Sequence, residues 1–146
     1  AKPAADDKGA AGALFTVKAI NTGKDASLVP GKVTIVDFWA TWCEPCKKSF
    51  PKLQSLYVKY QASGLEIIGL SEDDDKGGIR AFADQYGAKF PVAWDQDKKL
   101  ANKYQPKSMP TTLIFDKKGK QRFEHAGYHD GEELEIEKEI KKLLAE

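Results

Sequence analysis

Both cysteines of the chain, Cys43 and Cys46, fall within Val36-Asp-Phe-Trp-Ala-Thr-Trp-Cys-Glu-Pro-Cys46, where an apolar run ends and a helical pattern begins. A helix N-terminus carries about half a unit of positive charge and unpaired N–H groups, so a cysteine placed there has its thiolate stabilised. Cys43 holds that position, and its thiol is expected below the reference of about 8.5. Cys46 is one helical turn further in, close enough to form a disulfide with Cys43 and shielded enough to wait until a mixed disulfide forms. The pair can therefore cycle between dithiol and disulfide, with no further cofactor and no metal. A structural zinc needs four ligands, and the other soft candidates, His125 and His129, lie far along the chain. A static staple across so short a loop would constrain the unfolded chain very little. A C-x-x-C at a strand-helix junction reads first as a redox site.

Residues beyond the cysteines carry a family likeness. Phe38-Trp39-Ala40 precede Trp42, Pro45 lies inside the motif, Lys47-Lys48 follow it, and Pro51 comes further along the helix. Met109-Pro110-Thr111-Thr112 stands before an apolar strand, and Phe90-Pro91-Val92 is followed by Trp94-Asp95. Together these resemble thioredoxin and, more closely, the TlpA/ResA-type thiol-disulfide oxidoreductases of bacterial envelopes, over roughly residues 14 to 144. The resemblance implies a thioredoxin-like α/β three-layer sandwich with a mixed central sheet, an N-terminal strand extension and a central helix-strand insert. It also implies a periplasmic or extracytoplasmic protein, possessing disulfide-containing protein substrates such as apocytochromes c in cytochrome c maturation or copper-site proteins. Electrons would come from a membrane thiol donor, and a monomer is expected.

Asp37 is a carboxyl in an otherwise apolar strand, which is costly to bury unless neutral or paired. Six residues before Cys43, it matches the buried acid of thioredoxin, which the resemblance implies accepts and returns the proton of the resolving thiol. Desolvation should raise it toward neutrality, as a general base requires. Envelope members commonly place another acid after the following strand. The candidates here are Glu72, Asp73, Asp74 and Asp75, and counting back from Phe82 favours Asp74, although a solvated turn acid is the simpler reading of most of them. Pro110 matches the family's cis-proline, which would expose the backbone of Met109 to an incoming peptide. Trp42, Glu44, Pro45, Met109, Pro110 and Thr111, with Gly127, would then form a shallow docking surface around Cys43, whereas Trp39 and Trp94 read as core.

Glu44 opposes thiolate formation at Cys43, while the helix dipole, Lys47 and Lys48 favour it. A less stabilised dithiolate means a lower reduction potential, hence a reductant. Three rival functions exist. A thiol peroxidase needs a Thr-x-x-Cys arrangement with an activating arginine, a spacing that Thr41-Trp42-Cys43 lacks. A copper-delivery module would use Cys43, Cys46 and a histidine, since thiolates suit Cu(I). A peptide-binding module without redox activity is the third.

The elements that must position these groups follow from periodicity. Leu14 to Ile20 alternates as a strand with Phe15, Val17 and Ala19 on one face. Val33 to Trp39 and Leu65 to Leu70 read as strands buried on both sides. Cys43 to Tyr60 reads as a helix with Phe50, Leu53, Leu56, Tyr57 and Tyr60 inward, kinked at Pro51 and closed by Gly64. Ile79, Phe82, Ala83 and Tyr86 have helical spacing, and Lys98 to Tyr104 forms a further short helix. Thr111 to Phe115 and Gln121 to Ala126 make a hairpin around Asp116-Lys-Lys-Gly119. Asp130 and Glu133 suggest a capping box for a last helix with Leu134, Ile136, Ile140, Leu143 and Leu144 inward.

With 146 residues there is room for one domain with a real core. Lys+Arg number 23 against 22 Asp+Glu and form no basic stripe, so nucleic acid is not an expected partner. No apolar run approaches the ~20 residues that span a bilayer. Residues 1–12 carry no large apolar side chain and read as a flexible leader, a tether left by a removed N-terminal segment, before a domain over residues 13–146.

Overall fold

The computed structural model describes residues 13–146, so the expected leader lies outside the described residues. A hairpin of β1 (Phe15–Lys18) and β2 (Asp25–Leu28) leads into β3 (Val33–Trp39) and α1 (Glu44–Tyr60). There follow β4 (Leu65–Ser71), α2 (Ile79–Gln85), β5 (Val92–Trp94), α3 (Lys99–Tyr104), β6 (Thr111–Phe115), β7 (Gln121–Ala126) and α4 (Glu132–Leu144). The main sheet has the order β5-β4-β3-β6-β7. β3 runs parallel to β4, and β4 to β5; β6 is antiparallel to both β3 and β7.

β3 and β6 are buried along their whole length, and β4 at every residue but Glu66, because both faces of the sheet are covered. On one face Val33, Ile35 and Trp39 of β3 pack against Phe50, Leu53 and Leu56 of α1, Ile79 and Phe82 of α2, and Ile136, Ile140 and Leu143 of α4. On the other, Val36 and Phe38 meet Leu100 of α3 and the β1–β2 hairpin through Ala26, Leu28, Phe15 and Val17. Period-two alternation thus produces the expected three layers. Trp39, Phe50 and Phe82 form a triangle of rings with centroids 4.6, 4.7 and 5.0 Å apart. Each such pair contributes about 0.5–1.5 kcal/mol beyond area burial, and the triangle fixes the first turns of α1 against the end of β3.

Some local expectations change. β2 has no counterpart in the sequence reading, because its four residues, Asp-Ala-Ser-Leu, carry little strand signal. Asp130 does not cap α4; Gly131, at φ 90°, occupies that position without a side-chain hydrogen bond. Glu133 instead accepts a bond from the Tyr128 hydroxyl at 2.7 Å. Leu134 is 61% exposed rather than inward, because it falls outside the face of α4 set by Ile136, Ile140 and Leu143. After α1, a 3-10 turn over Gln61–Ser63 intervenes before Gly64, at φ 109°, redirects the chain into β4.

Candidate active site

Ala40 to Cys43 carries the chain from the end of β3 to the start of α1, and it brings the sulfur chemistry to the carboxyl end of the sheet's central strand. Cys43 is the N-cap of α1, with Pro45 in the first turn, where its missing N–H costs nothing. The backbone N–H of Cys46 points at Cys43 Sγ at 3.3 Å. On reduction the same N–H would face a Cys43 thiolate, the helix-terminal placement that favours ionisation. Cys43 and Cys46 are joined in a disulfide, with Cα atoms 5.3 Å apart. Cys43 retains 3% exposure and Cys46 none, so an attacking thiolate from solution has only Cys43 to reach. Trp42, 66% exposed, stands beside it.

Asp37 is fully buried in β3, between Gly69 of β4 and Thr112 of β6. Alternation along β3 puts it on the face with Val33, Ile35 and Trp39, the side that α1 and Cys46 cover. Desolvation pushes its carboxyl up to about 7, and the Thr112 hydroxyl, donating to Oδ1 at 3.0 Å, works against that rise. Its Oδ2 has no partner among the described residues. The arrangement suits a group that takes up and gives back a proton near neutrality.

The Met109–Pro110 peptide bond is cis. Pro110 and Thr111 are buried, and Thr111 Oγ1 donates to the Ser108 carbonyl at 2.7 Å, which shapes the loop. Gly127 N–H donates to the Pro110 carbonyl at 2.7 Å, tying that loop to the end of β7. Met109 and Trp42 share an open groove of about 420 Å³ with Glu72, Lys98, Ala101, Asn102, Gln105 and Pro106. Glu44 points to solvent and pairs with Lys47 at 2.6 Å.

The acids after β4 sort differently from the sequence count. Asp74 has a 98% exposed side chain, in a loose 3.7 Å pair with Lys98, and lies outside the site because the chain turns outward before it. Glu72 is the buried acid: it is 4% exposed, and neither carboxyl oxygen has a hydrogen-bond partner among the described residues. Burial first, then the adjacent Asp95 carboxyl, push Glu72 up to about 9. Asp95 itself accepts from the N–H groups of Leu100 and Ala101 at 2.8 Å and holds the start of α3. Glu72 is among the four candidates of the sequence reading, but counting back from Phe82 favours Asp74, because a turn of unknown length cannot be placed to one residue by counting.

A raised carboxyl has a definite pH consequence. Glu72's contribution to stability is fully present below the ordinary carboxylate range and is lost as pH rises through about 9. Glu72→Gln is therefore expected to stabilise the protein at pH 8 by about 1–3 kcal/mol and to do little at pH 4, as read by urea unfolding at both values.

His125 does not face the sulfurs with a free nitrogen. Nδ1 is bound to Glu132, and Nε2 to Glu139 at 2.6 Å, clamping β7 to α4. Burial alone would lower this imidazole, but the two carboxylates more than offset it and leave it raised. Among the described residues no group of three or more His, Cys, Asp or Glu is arranged to hold a metal ion.

Comparison with known proteins follows the same lines. Residues 9–123 match the AhpC/TSA family. The chain is 41% identical over 105 residues to the thiol-disulfide oxidoreductase ResA of Bacillus anthracis, an alignment covering 72% of this chain and 61% of that protein. It is 35% identical over 96 residues to ResA of Bacillus subtilis, covering 66% and 54%. The chain thus spans about three fifths or less of the length of these curated relatives. Its structure is similar to that of a putative thiol:disulfide interchange protein DsbE from Chlorobium tepidum, with a TM-score of 0.82 and 31% identity over 89% of this chain and 92% of that one. StoA from Bacillus subtilis superposes with a TM-score of 0.72 and 27% identity, covering 84% and 93%.

Proposed function

The chain belongs to the AhpC/TSA family, with a thioredoxin-like fold, and from that premise we propose that it is a thiol-disulfide oxidoreductase working through Cys43 and Cys46. The observation that carries the reading is the placement of Cys43 at the N-cap of α1, its sulfur facing the Cys46 N–H, with the fully buried Cys46 bonded behind it. The reduced Cys43 thiolate attacks a substrate disulfide, forming one mixed S–S bond and releasing one substrate thiol. Cys46 then attacks Cys43 Sγ, releasing the second substrate thiol and closing the Cys43–Cys46 disulfide. Asp37 accepts the Cys46 proton in that second step. Trp42, Pro45 and Met109 form the surface on which the substrate segment lies, and the buried Pro110 and Thr111 shape the loop beneath it.

Disulfide-bearing proteins are the proposed substrates, in keeping with the names thiol-disulfide oxidoreductase and thiol:disulfide interchange protein carried by the relatives. An extracytoplasmic location and a membrane thiol protein that returns the electrons complete the proposal. No helix among the described residues is long and apolar enough to cross a membrane. The copper-delivery reading finds no support in His125, whose two ring nitrogens are occupied by Glu132 and Glu139. Reduction of a disulfide-linked peptide by the prereduced protein, at one peptide disulfide per protein dithiol, tests the function; a protein that equilibrates with neither the peptide nor dithiothreitol contradicts it.

The direction of flow depends on how far Cys43 is stabilised as thiolate. Glu44 adds a negative charge next to it, partly compensated by Lys47. Glu44→Gln removes that charge and leaves Lys47 unpaired, so the couple should move to a less negative potential by roughly 10–30 mV, where about 30 mV corresponds to 1.4 kcal/mol. The shift should shrink in high salt, since both groups are largely solvated. Equilibration against a glutathione buffer measures it.

A further inference from the structure

Asp73 is bound more tightly into the active-site loop than any role assigned above requires. Its carboxylate accepts the Thr41 N–H at 3.0 and 3.2 Å to its two oxygens and the Thr41 hydroxyl at 2.7 Å. The Ser71 hydroxyl donates to the other side of the same carboxylate, and the Asp73 N–H donates back to Ser71 Oγ at 3.1 Å. The Asp73 carbonyl in turn accepts from Trp94 Nε1 at 2.9 Å. One residue therefore ties together the carboxyl ends of β3, β4 and β5. Thr41 is two residues before Cys43, with Trp42 between them. Packing does not hold Trp42, which is 66% exposed. The other backbone bonds of this turn run from Cys43 N–H to the Ala40 carbonyl at 3.1 Å and from Glu72 N–H to the Trp39 carbonyl at 2.7 Å.

We infer that Asp73, braced by Ser71, is a positioning residue for the Thr41–Cys43 segment, and that its negative charge, delivered through Thr41, holds back ionisation of Cys43. This deepens the proposed function and rests on it. The geometric part follows from bond count: three donor groups converge on one carboxylate, and charge-assisted bonds of this kind are about twice as strong as neutral ones. The electrostatic part follows from place. Asp73 is half-buried, whereas Glu44 is 79% exposed and paired, so the Asp73 charge is screened less by solvent and salt. A charge that disfavours the thiolate disfavours the dithiol state and makes the couple more reducing.

Two substitutions separate the parts. Asp73→Asn keeps an oxygen for Thr41 and removes the charge; Thr41→Val keeps the charge and removes the hydroxyl bond. The first readout is the equilibrium in which two glutathione thiols reduce the Cys43–Cys46 disulfide, giving oxidised glutathione and the protein dithiol, so electrons and protons balance. Asp73→Asn should move that equilibrium constant about threefold to tenfold toward the dithiol, and the shift should persist in 1 M salt, where that of Glu44→Gln fades. The second readout is the rate of mixed-disulfide formation between reduced protein and a disulfide-linked peptide. Thr41→Val should slow it about tenfold while changing the glutathione equilibrium less than twofold. Ser71→Ala, which removes the brace and leaves both Thr41 bonds, should give a smaller slowing of the same kind and serves if Thr41→Val fails to fold. An Asp73→Asn protein with an unchanged equilibrium constant overturns the charge role. Thr41→Val and Ser71→Ala proteins reacting at the wild-type rate overturn the positioning role. A wild-type protein that does not equilibrate with glutathione at all refutes the proposed function instead, so the two failures are distinct.

Discussion

Serine in place of Cys46 is expected to leave a protein that attacks a disulfide and then cannot let it go. Cys43 would still form the first mixed disulfide, but the resolving thiol would be absent. An intramolecular thiol one helical turn away acts at an effective concentration far above the millimolar thiols of an assay, so turnover should fall by at least about a thousandfold. The mixed disulfide should accumulate through Cys43 and be visible by mass spectrometry under non-reducing conditions. Cys43→Ser should show neither the adduct nor turnover, because Cys46 is fully buried and cannot meet substrate. An adduct forming through Cys46 in the Cys43→Ser protein would reverse the assignment.

The second large effect concerns Asp37. Asp37→Asn should slow resolution of the mixed disulfide by about a hundredfold while leaving its formation within about twofold, since only the second step deprotonates Cys46. In the wild type the resolution rate should rise with pH through about 7, where the Asp37 carboxyl ionises, and this inflection should vanish in the variant. Thr112→Val removes the bond that favours the ionised form and should move the inflection upward. Stability gives an independent check. A carboxyl raised by burial contributes fully below the ordinary carboxylate range and loses that contribution as pH rises through about 7. Asp37→Asn should therefore stabilise the fold at pH 8, by about 1–3 kcal/mol, and not at pH 3. Equal slowing of both chemical steps would point to distortion of β3 instead of a missing proton acceptor.

What the sequence made legible follows from how local each signal is. β3, α1 and β6 are legible almost to the residue, because continuous apolar runs and helical spacing mark fully covered strands and one-sided helices, and β7, polar and half-exposed, is legible from the Asp116–Gly119 turn that pairs it with β6. The cysteine pair and Asp37 are legible because each is an oddity within such a pattern, and Pro110 through the resemblance of Met109-Pro110-Thr111-Thr112 to the family's cis-proline loop. β2 was not, since it is a short edge element held by Phe15 and Val17 across the hairpin rather than by its own composition. Asp130 and Glu133 matched a capping box, yet Gly131 took the cap in a left-handed conformation and Glu133 turned to Tyr128. The acids after β4 were the least legible. Glu72, Asp73 and Asp74 are chemically near-identical in sequence, but they end as a buried unpartnered acid, a loop anchor and a solvated side chain. Only the exit of the chain from β4 decides which is which. Thr112 stands out in the sequence only as part of the Met109–Thr112 motif, and its bond to Asp37 depends on the antiparallel register of β3 and β6.

The central claim is that Cys43 is the nucleophile and Cys46 its buried partner, and the most direct measurement is alkylation of the fully reduced protein near neutral pH with site-resolved mass spectrometry. Helix-terminal placement facing the Cys46 N–H and the remaining surface access predict that Cys43 is labelled first, by at least about tenfold in rate. Labelling of Cys46 at an equal or faster rate would contradict the account.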